Sequence, residues 1–223
     1  DFERVEPYLE QRLANFVIDR TPAIVGDYAI KIGRYEDAIQ AMDRSIAIDP
    51  SVGIFYTFKG EALLLLGERE AAIELIQTTS PLFSDDWWYL RESTKLLYYL
   101  GEYEHSREQL SKLITNFPDY PPLLIWLSTV YDQMEGKDSK VEQHLAELHD
   151  YYEKGSSGSP AWFIALYYCT IQDYEKAFTW LQRSYDRHEV ELTWFQEEPL
   201  LIPLRNDPRY KELYYKIGFA KLK

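Results

Sequence analysis

The sequence predicts an all-α fold built from repeated helix pairs. Three glycines, Gly33, Gly67 and Gly101, recur with a spacing of 34 residues, and each separates two stretches with helical periodicity of their apolar residues. A proline such as Pro50 ends the second stretch, where a helix is expected to stop. A fixed period of this length is typical of helical arrays in which each pair buries its apolar face against its neighbour.

The residues around the first glycine resemble the consensus of the tetratricopeptide repeat (TPR) family. That consensus has a small residue, a turn glycine followed by an aromatic residue, an alanine, a large apolar residue and a terminal proline. Here these positions are Gly26, Gly33, Tyr35, Ala38, Met42 and Pro50. The resemblance implies a right-handed α-solenoid of about five helix pairs, which holds a partner segment in its concave groove.

We expect the whole chain, residues 1–223, to be one superhelical domain. A leading helix over residues 1–18 is predicted because Phe2, Val5, Leu9 and Leu13 recur at spacings of three and four. The predicted repeats span 19–52, 53–86, 87–120, 121–154 and 158–191, and a capping segment spans 192–223.

The second and fourth repeats depart from the register of the first. Pro81 comes early in the second repeat, so we expect a short second helix there. Ser84 or Asp85 is the expected N-cap of the helix that begins at Trp87. Gly136 comes one residue late in the fourth repeat, which predicts a turn that is longer by one residue.

The fifth repeat has no turn glycine. A linker over residues 155–160 precedes it, with Ser159 as the expected N-cap and Pro160 in the first helical turn. Gln172 stands where the other repeats have glycine.

The last segment breaks the period. The run Leu204-Arg205-Asn206-Asp207-Pro208-Arg209-Tyr210, with the prolines before it, resembles the terminal motif of many bacterial TPR arrays. Those arrays are often fused to a cyclase, kinase or DNA-binding domain, so the resemblance implies a regulatory or scaffolding role. A cap is also needed physically, because a terminal repeat has no neighbour to cover its apolar side.

Composition argues against several classes of function. The formal net charge of −13 repels a phosphate backbone, so we expect no nucleic-acid binding. No apolar run reaches the roughly 18 residues of a membrane-spanning helix, so no membrane insertion is predicted.

Cys169 is the one cysteine, which rules out an intramolecular disulfide. Because the chain starts at Asp1, we expect a processed or truncated product, and the compartment stays open with the cytoplasm slightly favoured.

No residue pattern indicates catalysis, a cofactor or a metal. His144 and His149 are five residues apart, which places them about 140° apart around a helix rather than on one face. The sequence has no Gly-rich phosphate loop and no Gly-x-Ser-x-Gly elbow. Glu197 and Glu198 are better explained as solvated charges than as a catalytic acid/base pair. We therefore predict a non-enzymatic protein with no catalytic residues, no cofactor and no metal site.

The family register places the first helix of each pair along the groove. This assigns to the groove a central stripe that is aromatic and basic, and aromatic side chains beside arginine are enriched in binding hot spots. The candidate partner-binding residues are Phe58, Glu61, Trp88, Arg91, Lys95, Tyr98, Trp126, Thr129 and Trp162.

The residues of this stripe could also have purely structural roles. The aromatic residues could pack between helices, and Arg91 could pair with Glu61 or Glu92. The leading hypothesis is a protein-interaction module, an adaptor, scaffold or regulatory sensor, that binds a protein or peptide segment. The alternatives are a domain that senses a small ligand and a module that forms a homodimer.

Overall fold

The computed structural model describes residues 21–117 and 122–219, and within these ranges the secondary structure is entirely helical. This described part comprises eleven α-helices and two 3₁₀ helices, so the predicted all-α class is confirmed. The α-helices are α1 Thr21–Lys31, α2 Tyr35–Ile48, α3 Gly53–Leu66, α4 Arg69–Thr79, α5 Trp87–Tyr99, α6 Tyr103–Asn116, α7 Pro122–Met134, α8 Asp138–Glu153, α9 Pro160–Thr170, α10 Tyr174–Asp186 and α11 Pro208–Ile217. The 3₁₀ helices are Val190–Trp194 and Pro199–Leu204.

The first ten of these helices follow one another as five pairs, from α1 and α2 to α9 and α10. The chain divides into two compact units, Asp1–Leu113, called unit 1, and Ile114–Lys223, called unit 2. The predicted leading helix, residues 1–18, lies outside the described residues. The exact repeat bounds and the single domain stay predictions.

One residue in the left-handed conformation forms the turn inside each pair. Its φ is +77° at Gly33, +92° at Gly67, +70° at Gly101 and +70° at Gly136. Glycine enters this region at no steric cost because it has no Cβ. In the fifth pair Gln172 takes the same role with φ of +61°, a conformation that costs a residue with a side chain roughly 1–2 kcal/mol.

The turn at Gly136 has the same length as the turns at Gly33 and Gly101. Residues 135–137 join α7 to α8, and three residues likewise join α1 to α2 and α5 to α6. The predicted longer turn is therefore wrong, because the residue gained in this repeat does not lie between its two helices.

In unit 1, small residues allow the helices to approach closely. A Cβ added to Gly26 of α1 would lie 2.5 Å from Met42 Cε of α2, and one added to Gly60 of α3 would lie 2.7 Å from Leu96 Cδ2 of α5. Helix α3 packs against both α4 and α5. The core between α4 and α5 consists of Ala72, Ile76, Leu96, Leu97 and Leu100.

The junction between α4 and α5 agrees with the prediction from the sequence, except for the residue that caps α5. Helix α4 has 11 residues where α2 has 14, which confirms the predicted short helix. The N-cap of α5 is Asp86, whose carboxylate accepts a hydrogen bond from Tyr89 N at 3.1 Å. The prediction of Ser84 or Asp85 was wrong by one or two residues, because Asp86 is the residue with extended backbone directly before Trp87.

In unit 2, the first helices of both pairs are buried along most of their length. Residues 123–127 of α7 and 161–167 of α9 are buried without interruption. The rings of Trp126 and Phe163 lie 5.7 Å apart between their centroids, so these two helices share one aromatic core.

The start of α9 is capped from a distant position. Ser159 occupies the predicted N-cap position, but its φ is +57° and its side chain makes no capping hydrogen bond. Instead the carboxylate of Glu189 accepts from Ala161 N at 3.0 Å and from Trp162 N at 2.8 Å. The predicted N-cap position of Ser159 is therefore confirmed, but its hydroxyl donates to Glu191 and does not cap the helix.

The C-terminal segment packs onto the last helix pair of unit 2. The 3₁₀ helix Pro199–Leu204 contacts α9, and α11 contacts α10. Asp207 caps α11 by accepting from Arg209 N at 2.8 Å, and the guanidinium of Arg209 reaches Glu175 of α10. Tyr210 stacks on Phe195 with ring centroids 4.6 Å apart. The segment thus covers the end of unit 2, while its kinship to bacterial caps stays a prediction.

Candidate partner-binding face of unit 1

Three first helices of unit 1 bring six charged side chains together. Lys31 and Asp27 of α1 form an ion pair of 2.8 Å, and Lys95 of α5 lies 3.4 Å from both Glu61 of α3 and Glu92 of α5. Arg91 forms an ion pair with its neighbour Glu92. We call this group the charge cluster: Asp27, Lys31, Glu61, Arg91, Glu92 and Lys95.

The charge cluster is balanced and partly buried. It contains three carboxylates and three cations, and its side chains are between 12% and 28% exposed. The predicted basic character of this stripe is therefore wrong, because Glu61 and Glu92 neutralise Arg91 and Lys95. Partial burial strengthens these pairs, since the local dielectric is lower than that of water.

Two glutamates of the charge cluster differ in their acidity. Burial raises the pKa of Glu61, and the carboxylates of Glu92 and Asp27 add to this effect, which Lys95 only partly offsets. Burial also acts on Glu92, but Lys95, Arg91 and Lys31 together outweigh it and hold the pKa of Glu92 below its ordinary value. Glu92 is thus the anionic centre of the cluster.

Trp88 is the large exposed side chain beside the charge cluster. It lies in the first turn of α5, one turn before Arg91 and Glu92, and its side chain is 57% exposed. An exposed tryptophan next to partly desolvated charges has the composition of an interface hot spot. We call Trp88 and the charge cluster together the first-helix face of unit 1.

Phe58 and Tyr98 lie outside the charge cluster. Phe58 is half-buried on α3. The Tyr98 ring lies 5.3 Å from that of Tyr99 and 6.0 Å from that of Tyr103, so it extends the aromatic surface toward the start of α6.

Trp126, Thr129 and Trp162 belong to the interior of unit 2. Their exposure is 0%, 0% and 2%, and Thr129 Oγ1 donates to Ile125 O within α7 at 2.7 Å. These residues offer no surface to a partner, so their assignment to a binding groove is corrected. The physical reason is that α7 and α9 are buried along most of their length, whereas the family register expects one free face on each.

Glu92 is a residue of the first-helix face that the sequence assignment did not place in the groove. The sequence offered it only as an alternative partner for Arg91. Its spacing of three residues from Lys95 on one helix was the available signal, because side chains at i and i+3 meet. Its third cation, Lys31, comes from α1 and cannot be found from local spacing.

The thiol of Cys169 is buried, and this burial raises its pKa to about 12, which leaves it protonated and unreactive at neutral pH. Within residues 21–117 and 122–219, no cluster of His, Cys, Asp and Glu has the arrangement of a metal site. No helix in the described part of the chain is long and apolar enough to cross a membrane.

Comparisons with known proteins agree with this fold. The family model described as Tetratricopeptide repeat matches residues 24–52, which contain α2 and most of α1. The Protein STIP1 homolog of Dictyostelium discoideum is 34% identical over 85 residues, which cover 37% of this chain and 15% of that protein. In a crystal structure of the APC/C hetero-tetramer Cut9-Hcn1, one chain superposes with a TM-score of 0.59 and 16% identity. That alignment covers 96% of this chain and 46% of the other.

These matches show which fold the chain shares. Residues 24–52 match the tetratricopeptide-repeat model, and the repeated helix pairs with their left-handed turn residues match the fold of tetratricopeptide-repeat proteins. The chain spans less than half the length of each of these two proteins. The matched repeat and the fold support a role in protein–protein interaction.

Proposed function

We propose that the chain is a non-enzymatic adaptor or scaffold, which binds a segment of a partner protein on the first-helix face of unit 1. The observation that carries the proposal is the exposure of Trp88, 57%, directly beside the balanced charge cluster. When a partner covers a tryptophan that is this exposed, apolar surface is removed from water and binding becomes more favourable. The charge cluster determines the orientation in which the partner segment binds, because cations and carboxylates alternate across α3 and α5.

The partner segment that fits this face carries an apolar residue for Trp88 and polar or charged residues for the cluster. Because the six charges of the cluster cancel, the face selects by the positions of charges rather than by net charge. A partner segment with only basic residues would be repelled by Arg91 and Lys95, so its binding would be weak. This distinguishes the proposal from a simple attraction between an acidic protein and a basic partner.

The test is a comparison of two single substitutions. Partners are captured from lysate on the immobilised chain and identified, and a synthetic segment of the partner is then titrated by calorimetry. We expect Trp88→Ala to weaken binding by tenfold or more, as for an interface hot spot. The matched control is Val190→Ala in unit 2, which removes an exposed apolar side chain, 67% exposed, far along the chain from Trp88.

The outcomes are distinct. Loss with Trp88→Ala and retention with Val190→Ala, with unchanged circular dichroism of both variants, supports the first-helix face. Equal binding of the wild-type chain and of Trp88→Ala overturns it and moves the binding surface elsewhere on the molecule.

A further inference from the structure

Two exposed arginines of unit 2 lie against aromatic rings near the C-terminal ends of α8 and α10, which are second helices of their pairs. Arg183 Cζ lies 4.2 Å from the centroid of the Trp180 ring, and Arg187 Cζ lies 3.5 Å from that of Tyr152. The two rings contact each other with their centroids 5.1 Å apart. We call these four residues the arginine patch: Tyr152, Trp180, Arg183 and Arg187.

The aromatic rings hold both guanidiniums in place. Trp180 is only 5% exposed, and Arg183 reaches its ring from one turn further along α10. Arg187 directly follows α10, and its Nη1 donates to the backbone carbonyl of Tyr152. Because a guanidinium that already lies on an aromatic face loses little further freedom when an anion binds its edge, the entropy cost of binding an anion is reduced.

Within the part of the chain that the structure describes, neither guanidinium of the arginine patch forms an ion pair with a carboxylate. The carboxylates nearby in the sequence have other contacts: Asp150 pairs with Lys154 at 2.6 Å, and Asp186 accepts from Gln182 Nε2 at 2.7 Å. A guanidinium carries five N–H donors, and the backbone carbonyl of Tyr152 takes one of those in the patch. Both side chains are exposed, so further donors are accessible to an anion from outside the chain.

Arg209 shows which group a stacked guanidinium of unit 2 binds. Its Cζ lies 4.1 Å from the centroid of the Phe178 ring, and its Nη1 and Nη2 donate to the two oxygens of Glu175 at 2.8 and 2.9 Å. Two parallel hydrogen bonds of this kind are the geometry in which arginine binds a carboxylate most strongly. Arg183 and Arg187 have the same stacked arrangement, and the described part of the chain supplies no such carboxylate to them.

The size and openness of the arginine patch decide which anion it fits. Nucleic-acid binding rests on roughly 6–10 phosphate contacts, and anionic membranes attract clusters of about 4–8 Lys and Arg. The patch has two cations on a protein with a formal net charge of −13, so neither polyanion suits it. Sites for small ligands bury most of the ligand, whereas both guanidiniums here are exposed. An open surface with two cations fits two carboxylates on the surface of another protein.

We propose that the arginine patch is a second docking site, which binds two carboxylate side chains from an acidic segment of a protein partner. One carboxylate pairs with the guanidinium of Arg183 and the other with that of Arg187, as Glu175 pairs with Arg209. The site goes beyond the proposed function, because it lies in unit 2 and needs no contact with Trp88 or the charge cluster.

The probe is acetyl-Glu-Ala-Glu-amide, followed by NMR of the ¹⁵N-labelled chain at about 0.15 M salt, where the distant negative charges of the protein are screened. We expect it to shift the Nε–H signals of Arg183 and Arg187 and to saturate with a dissociation constant on the order of 1 mM, typical of so small a ligand. Acetyl-Gln-Ala-Gln-amide has the same shape without the charges. It is expected to bind roughly tenfold more weakly, since hydrogen bonds between ionised groups are the stronger ones.

The imidazole of His149 provides a second readout. Its ring meets that of Trp180 edge-on with centroids 4.7 Å apart. Burial and the charge of Arg183 hold the pKa of His149 below its ordinary value, against the opposing effect of Glu153. A carboxylate bound to Arg183 offsets that cation, so we expect the acidic peptide to raise the pKa of His149 in an NMR titration. The neutral peptide is expected to leave this pKa unchanged.

Three substitutions locate the site. Arg187→Gln removes one guanidinium of the patch and is expected to weaken binding of the acidic peptide roughly tenfold. Arg205→Gln removes the same charge at another exposed position of unit 2 and is expected to leave binding intact. Arg183→Lys keeps the charge but loses the planar donors, so we expect binding to weaken several-fold. Circular dichroism of each variant is expected to match that of the wild-type chain.

Three results would show that the patch does not bind carboxylates in this way. One is the absence of any shift of Arg183 and Arg187 at a peptide concentration roughly tenfold above the expected dissociation constant. Another is equal binding of the acidic and the neutral peptide. The third is equal weakening by Arg187→Gln and Arg205→Gln, which would indicate a general attraction of anions.

Two further results would assign the patch to a different occupant and overturn the proposal. Tighter binding of succinate or inorganic phosphate than of the peptide would identify a site for small anions. A mass that rises with concentration in sedimentation, and that Arg187→Gln returns to the monomer, would identify a second copy of this chain. Because none of these readouts involves Trp88, failure here is separable from failure of the first-helix face.

Discussion

Glu189 caps the helix that begins 29 residues before it, through a hydrogen bond of 2.8 Å from the backbone N–H of Trp162. The same carboxylate accepts from Ala161 N at 3.0 Å. Two of the N–H groups that every helix leaves without an intrahelical partner are thereby satisfied by one side chain. The negative charge also lies at the positive end of the helix dipole of α9.

Replacing Glu189 by alanine is expected to destabilise unit 2. The change removes both hydrogen bonds at the start of a buried helix, so we expect a loss of about 1–2 kcal/mol in the free energy of unfolding. Urea unfolding followed by circular dichroism measures this loss. The matched control, Glu142→Ala on the exposed side of α8, is expected to change stability by less than about 0.5 kcal/mol. Equal stability of the two variants would show that Glu189 does not act as a cap.

Two substitutions that exchange glycine and glutamine at the turns are expected to change the free energy of unfolding in opposite directions. Gln172→Gly relieves a side chain held at φ of +61°, so we expect a gain of up to about 1 kcal/mol after the added flexibility of the unfolded chain is counted. The reciprocal change, Gly67→Gln, places a side chain at φ of +92°, where a Cβ meets no atom within 4 Å. Its expected loss of roughly 1 kcal/mol therefore reports backbone strain alone.

Thermal unfolding of both variants checks this pair. A loss of stability for Gln172→Gly would show that the glutamine side chain makes contacts that outweigh its strained backbone. No change for Gly67→Gln would show that the turn relaxes out of the left-handed conformation.

The repeat pattern, and with it the fold, could be predicted from the sequence because local features determine it. Glycine at Gly33, Gly67 and Gly101 marks the turns, and the repeat register also places the substitute Gln172. The caps were harder to predict, since Asp86 competes with two polar neighbours and Glu189 lies 29 residues beyond the start of the helix that it caps. A contact of that kind depends on the fold and leaves no local signal.

The candidate site could be predicted only in part. Arg91, Lys95 and Glu61 do lie together, because α3 and α5 are neighbouring first helices. Trp126 and Trp162 could not be separated from Trp88 by register, since all three lie on first helices. What distinguishes them is burial: the interior of unit 2 covers Trp126 and Trp162, whereas Trp88 is exposed.

Tryptophan substitutions are expected to divide into two classes for this reason. Trp126→Ala removes a completely buried ring that packs on Phe163, so we expect a loss of about 3–5 kcal/mol in the free energy of unfolding. Trp88→Ala removes a mostly exposed ring, and we expect a loss below about 1 kcal/mol. Chemical unfolding of the two variants measures both. Similar losses would mean that Trp88 is part of a core and would argue against the first-helix face as a binding surface.

The two glutamates of the charge cluster are expected to titrate on opposite sides of the ordinary glutamate value of 4.5. Carbon-13 NMR of labelled glutamate carboxyl groups gives each pKa directly. We expect the pKa of Glu61 above this value, because burial and the charges of Glu92 and Asp27 oppose its ionisation. The pKa of Glu92 is expected below it, because Lys95, Arg91 and Lys31 outweigh burial. Reversal of this order would show that the cations of the cluster face Glu61 rather than Glu92.

The same two groups make stability depend on pH with opposite signs. The folded state binds the proton of Glu61 more tightly than the unfolded state does, so the contribution of Glu61 is greatest below pH 4.5 and falls as the pH rises through its folded pKa. The contribution of Glu92 is present above pH 4.5 and is lost as the pH falls through its lowered folded pKa. We therefore expect the stability of the wild-type chain relative to Glu61→Gln to decrease with rising pH, and relative to Glu92→Gln to increase. Urea unfolding at a series of pH values from about 3 to 7 measures both differences, and trends of the same sign would contradict the arrangement of charges on α3 and α5.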